Sequence, residues 1–600
     1  MSTQLKPVLK SVTASRFDGG QNSIQYDLNI DSRYAKRLWN MIIGPDGTPQ
    51  VRFGTKLFAN CSAHLDTIVA LAYFGNIIVA VGMNGKLCAI HANGSVDLIW
   101  DNAIAVASGA NAGWGTTSFV SYDTFNGVLV LCNGLNKPLR IDSQGSHLNP
   151  SGYTCKYLVD EATGSNIFVP TARYVRAHAR YLLMAGDLLD PSILYIGSQD
   201  TIGTFEGAPA PNNGVNVDLG TRVTGGDNAI TGIASFRGKV LAMFQGCIVP
   251  GTIATSGATT TASFDDDVIG SFGTIAHNSI VDLGDDLFFM DTNGVSVISR
   301  TLLAGILTPA KLSLLIDPDV NSILSQLDLA AAADEVFAVH DKIESVVYFV
   351  VPNVSLNDGG TETLVFAGKY PGLRTATRDI AWSIMRDWRW RCGCRSSLGK
   401  LFFSGGDKVY QYGSQVDLFY ADRMLQEETF SDGTVFLDRH GFNPVVAGTN
   451  GGVPVFFDWV WPWSALKQRD YSKLSRHIKV DAPGTGRFTL QMFIDNIFND
   501  TDDPGEPFSD NTTFTDDSGF ERELLNPAMS MNFVGGDTRG FGLQGYGTDE
   551  FGGGRLASEE RQYAWINKFK LFRLRFFGSV TSPLKFSSVT MNYILANIHR

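Results

Sequence analysis

Apolar and polar positions recur in one repeating order along the first 415 residues. An apolar, β-rich run precedes a tight turn of Gly, Asn or Asp, and a second apolar run precedes a looser polar stretch. Seven copies can be read: Ile68 to Ile90, Ser118 to Ile141, Val175 to Ile196, Ile230 to Val249, Ser279 to Ile298, Val336 to Val351 and Leu398 to Tyr412. Their starts lie roughly fifty residues apart, which is typical of β-propeller blades. We therefore predict an all-β chain with a propeller of about seven blades.

Turn residues mark the reversals inside these copies. Asn84-Gly85, Asn126-Gly127 and Asn293-Gly294 each lie between or beside apolar runs, and Asn-Gly is the strongest short hairpin signal. Arg237-Gly238 and Gly284-Asp285-Asp286 occupy equivalent places. Each predicts two antiparallel strands joined by a tight turn. Unrelated hairpins in a sandwich would show the same turns, so that alternative stays open.

Two short segments carry helix signals. Asp31 or Ser32 can cap a helix that runs through Trp39. Asp317 precedes Pro318, a residue that suits the first helical position. One face of the second segment is apolar, through Val320, Ile323, Leu324 and Leu327. We predict a short helix at each place, the second packed beside the blades.

The composition of the chain changes after residue 413. An aromatic run from Phe456 to Trp463 is followed by strand-like segments, and the chain ends in further strands. We predict three parts. Residues 1–55 form an N-terminal arm with a short helix that leads into the first blade, residues 56–415 form the propeller, and residues 416–600 form a C-terminal β-sandwich-like domain.

A long insertion at residues 495–554 interrupts this last part. Residues 495–523 hold ten carboxylates against the single basic Arg522, and nine of the twenty residues from Gly535 to Gly554 are glycine. Such segments stay mobile unless a neighbouring chain orders them. The candidate partner-contact residues are Phe541, Tyr546, Phe551, Asp500, Asp502 and Asp503. A solvated loop whose rings fold back on their own domain is the alternative.

A basic run lies near the end of the chain. From Lys568 to Phe576 charged and apolar residues alternate, with Phe572 as an expected bulge. The alternation predicts a strand with one cationic face. That face could meet the acidic insertion of this or a neighbouring chain, or remain solvated.

Composition restricts the functional classes. The net charge of −12 disfavours a surface that grips nucleic acid, because such surfaces neutralise phosphates with Lys and Arg. Seven scattered cysteines favour folding in a reducing cytosol. The N-terminus shows no apolar signal segment, and the longest apolar runs are too short to span a bilayer.

Motifs for catalysis are missing from the sequence. It contains no Walker loop, dinucleotide fingerprint, His-Glu-x-x-His or Gly-x-Ser-x-Gly. Cys392 and Cys394 suit a core pair better than a zinc site, and His178, His277 and His340 lie in separate repeats. The acidic run at 500–505 lacks the glutamate that a helix-loop-helix calcium site carries at position twelve. We expect no catalytic residue, cofactor or metal.

Two other functional readings stay open. Asp265-Asp266-Asp267 and Asp285-Asp286 could supply the paired carboxylates of a glycan hydrolase on a propeller. Trp459, Trp461 and Trp463 could stack on sugars in a carbohydrate-binding module, although alternate aromatics on one strand also suit a core.

The N-terminal residues carry a resemblance to a known family. The segments are Phe17-Asp18-Gly19-Gly20-Gln21-Asn22, Asp31 to Arg37, Trp39-Asn40-Met41 and Gln50-Val51-Arg52-Phe53-Gly54. Together they resemble the opening of the tail nozzle (hub) proteins of short-tailed bacteriophages, in which an Arg-x-Gly strand enters a propeller. Leu312-Ser313, Asp286 to Gly294, Trp382 and Gly405 to Gly413 resemble blades of the same family.

The resemblance implies a virion structural protein rather than an enzyme. Such a subunit forms a ring, expected to be hexameric, at the distal part of the tail and below an adaptor protein. It continues and closes the DNA ejection channel, lets viral DNA pass without specific binding, and holds fibres or a channel plug. Assembly would take place in the bacterial host cytoplasm.

Overall fold

The computed structural model describes most of the chain outside the insertion. The described residues are 9–25, 30–107, 112–143, 153–159, 164, 169–206, 213–223, 228–256, 259–265, 268–300, 307–355, 361–370, 380–388, 390–414, 421–422, 453–462, 464, 473–482, 487–494, 513–515, 521–523, 529–534, 559–569, 571–580 and 584–595.

Consecutive antiparallel strands form six blades, each led by its innermost strand. Blade 1 has Ile68–Phe74, Ile77–Gly82, Leu87–Ile90 and Val96–Trp100, and blade 2 has Ser121–Phe125, Val128–Cys132, Leu139–Ser143 and Tyr153–Tyr157. Blade 3 has Tyr174–His178, Tyr181–Ala185, Ile193–Ile196 and Val215–Asp218, and blade 4 has Gly232–Phe236, Lys239–Met243, Cys247–Ser256 and Thr259–Phe264, with Ile269–Gly270 beside the third strand. Blade 5 has Val281–Asp282, Asp286–Asp291, Gly294–Arg300 and Leu307–Lys311, and blade 6 has Phe337–Asp341, Val346–Ser355, Thr361–Lys369 and Ala381–Trp388.

The seventh blade joins the two ends of the propeller. Gly393–Arg395, Leu401–Gly405 and Lys408–Tyr412 supply three strands, and Thr55–Asn60, from before blade 1, pairs antiparallel with the last of them. The innermost strands and their entry turns contact one another in order around the ring, from blade 1 through blade 7 and back. This pairing closes the ring and covers the strand edges that an open ring would leave unpaired. The predicted all-β propeller is confirmed.

Apolar faces of neighbouring blades cover each other. One buried cluster joins Phe402 and Val409 of blade 7 to Leu71 and Ile78 of blade 1, and others fill the remaining gaps between blades. The predicted hairpin at Asn126-Gly127 forms between the first two strands of blade 2, and both residues have positive φ, +49° and +75°. That conformation matches the twist of the strands, which is why the pair Asn-Gly suits it.

The C-terminal residues form a two-sheet sandwich. One sheet has the order Leu9–Ala14, Ser588–Leu595, Lys473–Asp481, Glu559–Phe569, and the other has Val453–Val460, Phe572–Val580, Arg487–Ile494, Met529–Val534. Phe457, Leu490, Leu574 and Phe586 pack in the buried core between them. The arm therefore does more than lead into the first blade, because its first described strand is an edge of this sandwich.

Short elements connect these two units. They are Gly20–Gln21, Tyr34–Ala35, Arg37–Trp39, the hairpin Met41–Ile43 with Pro49–Val51, and Ala421–Asp422. A separate pair, Thr513–Thr515 with Glu521–Glu523, lies in the insertion between two strands of the sandwich. In the described part of the chain, the helices are α1 (Asn102–Ala107), α2 (Asp317–Leu324) and α3 (Leu329–Glu335), and short 3₁₀ turns span Gly220–Arg222, His277–Ser279 and Ser313–Ile316. Among the described residues, no helix combines the length and apolar character needed to cross a membrane.

The helix predicted from residue 31 through Trp39 is wrong, whereas α2 is confirmed. Arg37–Trp39 is a strand that pairs with Asp458 to Val460 of the sandwich and bridges to Ile384 of blade 6. Leu38 is buried in the sandwich core and Trp39 in the core of blades 5 and 6. Burial on opposite sides needs the alternation of a strand, so the tertiary contacts override the local capping signal.

The single cationic strand predicted from Lys568 to Phe576 is also wrong. The chain leaves one sandwich sheet after Phe569 and enters the other at Phe572. Phe572 faces the core together with Leu574 and Phe576, so it is not a bulge. Arg573 is buried, and burial lowers its pKa to about 9.

Candidate functional site

The six partner-contact candidates lie outside the described residues. They are Phe541, Tyr546, Phe551, Asp500, Asp502 and Asp503. The structure instead brings two other groups of residues together, at the connection between propeller and sandwich and at the propeller axis.

Gly20 and Gln21 make close contacts where the N-terminal arm meets blade 6. Gly20 has φ +73°, and a Cβ there would lie 2.5 Å from the backbone nitrogen of Trp382. The Gln21 side chain accepts a hydrogen bond from the Leu38 backbone at 2.9 Å and donates one to Asp319 of α2 at 2.8 Å. We call this region the N-terminal joint. It comprises Gly20, Gln21 and Arg37–Asn40 together with the side chains that they contact.

Charged side chains surround the strand Arg37–Trp39 in the joint. Two guanidinium groups lie over the Trp39 ring, with the carbons of Arg37 and Arg386 at 4.5 and 4.6 Å from its centre. Asp458, 1% exposed, accepts two hydrogen bonds of 2.9 Å from Arg575, and Arg37 lies 3.5 Å away. These contacts bind the outer strand of blade 6 to the sandwich.

Asn40 forms the corner that follows this strand. Its φ is +53°, a conformation that asparagine tolerates better than most residues. Its side-chain oxygen accepts hydrogen bonds from the Arg386 backbone at 3.0 Å and from Arg52 at 3.2 Å. The Arg52 guanidinium also stacks 3.9 Å from the Trp388 ring. The sequence motifs around Trp39 and Arg52 are therefore structural, and they meet at one point.

A cavity of about 150 Å³ lies on the propeller axis. Its walls come from the innermost strands or their entries in six blades. The polar side chains on it include Tyr122 of blade 2, Arg176 of blade 3, and His277 and Asn278 before blade 5. Side chains from six blades therefore meet around one small space at the axis.

Helix α3 crosses one end of this axis. It leads into blade 6, yet its Asp334 accepts a hydrogen bond of 2.8 Å from Ser118, which precedes blade 2. Asp334 also forms an ion pair with Arg173, which precedes blade 3 and lies over the Phe119 ring. Blades 2 and 3 are the farthest from blade 6 in a ring of seven, so the helix spans the opening.

His277 links three blades beside the cavity. Its Nδ1 accepts a hydrogen bond from the Ile233 backbone of blade 4 at 3.2 Å, and its ring also bonds the Val175 backbone of blade 3. Burial, followed by the charge of Arg176, lowers the pKa of His277 well below its ordinary value. The imidazole is therefore neutral at neutral pH, which its acceptor role at Nδ1 requires.

The other histidines bind separate partners, as the sequence indicated. His178 lies 2.8 Å from the Ser235 hydroxyl, and His340, in the first strand of blade 6, contacts Tyr370 and also Arg395 of blade 7. Burial lowers the pKa of His340 to about 4.

The cysteines are buried thiols. Cys61, Cys88, Cys392 and Cys394 share the apolar cluster between blades 7 and 1, and Cys392 lies 3.0 Å from the Ser404 hydroxyl. Burial raises the pKa of Cys61, Cys88 and Cys392 to about 12. Within the described part of the chain, no three His, Cys, Asp or Glu side chains lie close enough together to hold a metal ion.

The residues considered for sugar chemistry have structural partners. Trp459 and Trp461 are 1% and 6% exposed in the sandwich core, so they cannot be stacking platforms, and Trp463 lies outside the described residues. Asp265 pairs with Lys239 at 2.8 Å, Asp285 pairs with Arg237, and Asp286 accepts a hydrogen bond from Ser299. Asp266 and Asp267 lie outside the described residues.

Known structures that resemble this chain are distant from it. No family model and no curated protein matches the chain. Among solved structures, a streptogramin B lyase is 11% identical with a TM-score of 0.35, over 60% of this chain and 98% of that one. The WD40 β-propeller domain of Doa1 is 10% identical with a TM-score of 0.31, over 60% and 97%. Neither likeness is close enough to bear on function.

Proposed function

We propose that this chain is a structural protein of a virion, the subunit of a ring at the distal part of a short bacteriophage tail. The observation that supports this best is the N-terminal joint. The residues that resemble the tail nozzle family are the ones that bind propeller, arm and sandwich together. A subunit that must transmit force through a tail benefits from such a connection, in which one sheet continues from blade 6 through Arg37–Trp39 into the sandwich.

In this proposal the DNA channel runs between subunits and not along the propeller axis. A passage for duplex DNA must be wider than an α-helix, because the major groove alone admits one. At the propeller axis, side chains of six blades line a space of about 150 Å³, and α3 spans one end of it. In the proposed ring, expected to be a hexamer, each propeller is therefore a wall of the channel and not its lumen. The net charge of −12 would limit adhesion of phosphates to that wall.

Exposed leucines in turns of blades 2 and 3 are candidates for contacts between copies of this chain. Leu188 and Leu189 are 69% and 88% exposed in the turn between the second and third strands of blade 3. Leu135 is 56% exposed in the matching turn of blade 2, and both turns pack against Arg173. Adjacent exposed apolar side chains mark interaction surfaces, and a closed ring needs a heterologous one. The adaptor, and the fibres or plug, would bind elsewhere on the ring.

The native mass of the purified full-length chain tests the proposal. We expect a closed oligomer, hollow in negative-stain images, and a shift toward smaller species when Leu188 and Leu189 are both changed to Ser. Leu398→Ser is the matched control, because this leucine is 78% exposed in a turn on the opposite face of the propeller. A monomer at all concentrations would contradict the ring, and release of reducing ends from host polysaccharide would favour the hydrolase alternative.

A further inference from the structure

An arginine in the axial cavity lacks a close partner for its charge. The Nε of Arg176 lies 3.5 Å from the Ile233 carbonyl, and Nη1 lies 3.7 Å from a carboxylate oxygen of Asp123. Both oxygens of Asp123 already accept hydrogen bonds of 2.8 Å, from the backbone of Thr124 and of Ala177. Strong charge-assisted hydrogen bonds are about 2.7–2.9 Å long. The guanidinium can therefore donate shorter hydrogen bonds to an acceptor in the cavity.

Other donors line the same cavity. Tyr122 contributes a hydroxyl, and the Asn278 amide makes only a long hydrogen bond of 3.4 Å to the Val120 carbonyl. His277 is neutral, so it contributes no charge to the cavity. Hydroxyl, amide and guanidinium groups around one small space favour a ligand rich in acceptor oxygens.

We propose that the axial cavity binds a small oxyanion of the phosphate class, with the Arg176 guanidinium as its main partner and Tyr122 and Asn278 as additional donors. The volume of about 150 Å³ corresponds to about five water molecules at about 30 Å³ each, which is enough for one small anion. This inference does not depend on the proposed ring, since every residue in it belongs to one propeller.

Calorimetric titration of the full-length chain with inorganic phosphate, at neutral pH in chloride buffer, tests the site. The wild type should bind one phosphate per chain, with saturation. Arg176→Gln should weaken binding about tenfold or more, because a hydrogen bond to a charged group contributes about 1.5–3 kcal/mol. Arg180→Gln is the matched control, since Arg180 lies in the same blade in an exposed ion pair with Asp200, and its affinity should equal that of the wild type.

A second variant covers the case in which Arg176→Gln fails to fold. Tyr122→Phe removes one donor and keeps the ring, and it should weaken phosphate binding several-fold. Absence of saturable binding by the wild type would overturn the proposal. So would equal weakening by Arg180→Gln, or wild-type affinity in a folded Arg176→Gln protein.

Discussion

Removing the charge of Asp458 should loosen the N-terminal joint. The carboxylate is 1% exposed and is bonded twice by Arg575, with Arg37 beside it. The change Asp458→Asn keeps the shape and removes the carboxylate charge that Arg575 and Arg37 share. Breaking a buried ion pair in this way costs about 3–5 kcal/mol. We take the lower end, about 3 kcal/mol, because the Arg575 and Arg37 side chains are 28% and 17% exposed and can recover some hydration.

Hydrogen exchange measured by mass spectrometry is the appropriate assay, because global unfolding of so long a chain is not a two-state process. A loss of about 3 kcal/mol corresponds to a fall of about a hundredfold in the protection of amides that open with the joint. The fall should be confined to peptides that cover Arg37–Trp39, Val453–Val460, Phe572–Val580 and the outer strand of blade 6.

Asp200→Asn is the matched control for this measurement. Asp200 pairs with Arg180 on the surface, where the two side chains are 43% and 63% exposed, and exposed ion pairs contribute about 0–1 kcal/mol. If Asp458→Asn lowered protection no more than Asp200→Asn, or lowered it evenly over all seven blades, the account of the joint would be refuted.

Three further predictions concern the backbone, the pH dependence and the thiols. In the same exchange experiment, Gly20→Ala should destabilise the arm by more than Gly238→Ala destabilises its turn. Both glycines have positive φ, but only at Gly20 would an added Cβ lie 2.5 Å from a backbone atom. Equal effects would contradict this. The lowered pKa of His277 means that the unfolded chain binds more protons below about pH 6.5, so wild-type stability should fall on acidification from there. Burial raises the pKa of Asp341 to about 6, and this shift acts in the opposite direction. The test therefore compares the wild type with His277→Gln, which should lose less thermal stability between neutral pH and pH 5. Parallel stability profiles of the two proteins would refute the assignment. All seven cysteines are buried, and burial raises the pKa of each, so a thiol reagent should modify none rapidly in the native protein and all after denaturation.

Little of the two sites could be read from the sequence. The resemblance to the nozzle family selected Trp39, Asn40 and Arg52, but their partners Asp458, Arg386 and Trp388 lie more than 300 residues away and carry no motif. The axial residues were missed. His277 was noted only as a histidine in a separate repeat, and no spacing in the sequence indicates that it meets Arg176 and Tyr122. A ring brings its first strands together at the axis, so the residues that meet there are separated by whole blades in the sequence.

The sequence by itself determined the repeating strands and their turns. Alternating burial and turn chemistry are encoded within about ten residues, as at Asn126-Gly127, so they can be read without knowledge of the partner. Only the tertiary structure decided that Thr55–Asn60 completes blade 7, that Arg37–Trp39 is a strand, and that the basic run divides between two sheets. These outcomes depend on which sheet edge remains unpaired after the ring closes, and that edge is created by distant parts of the chain.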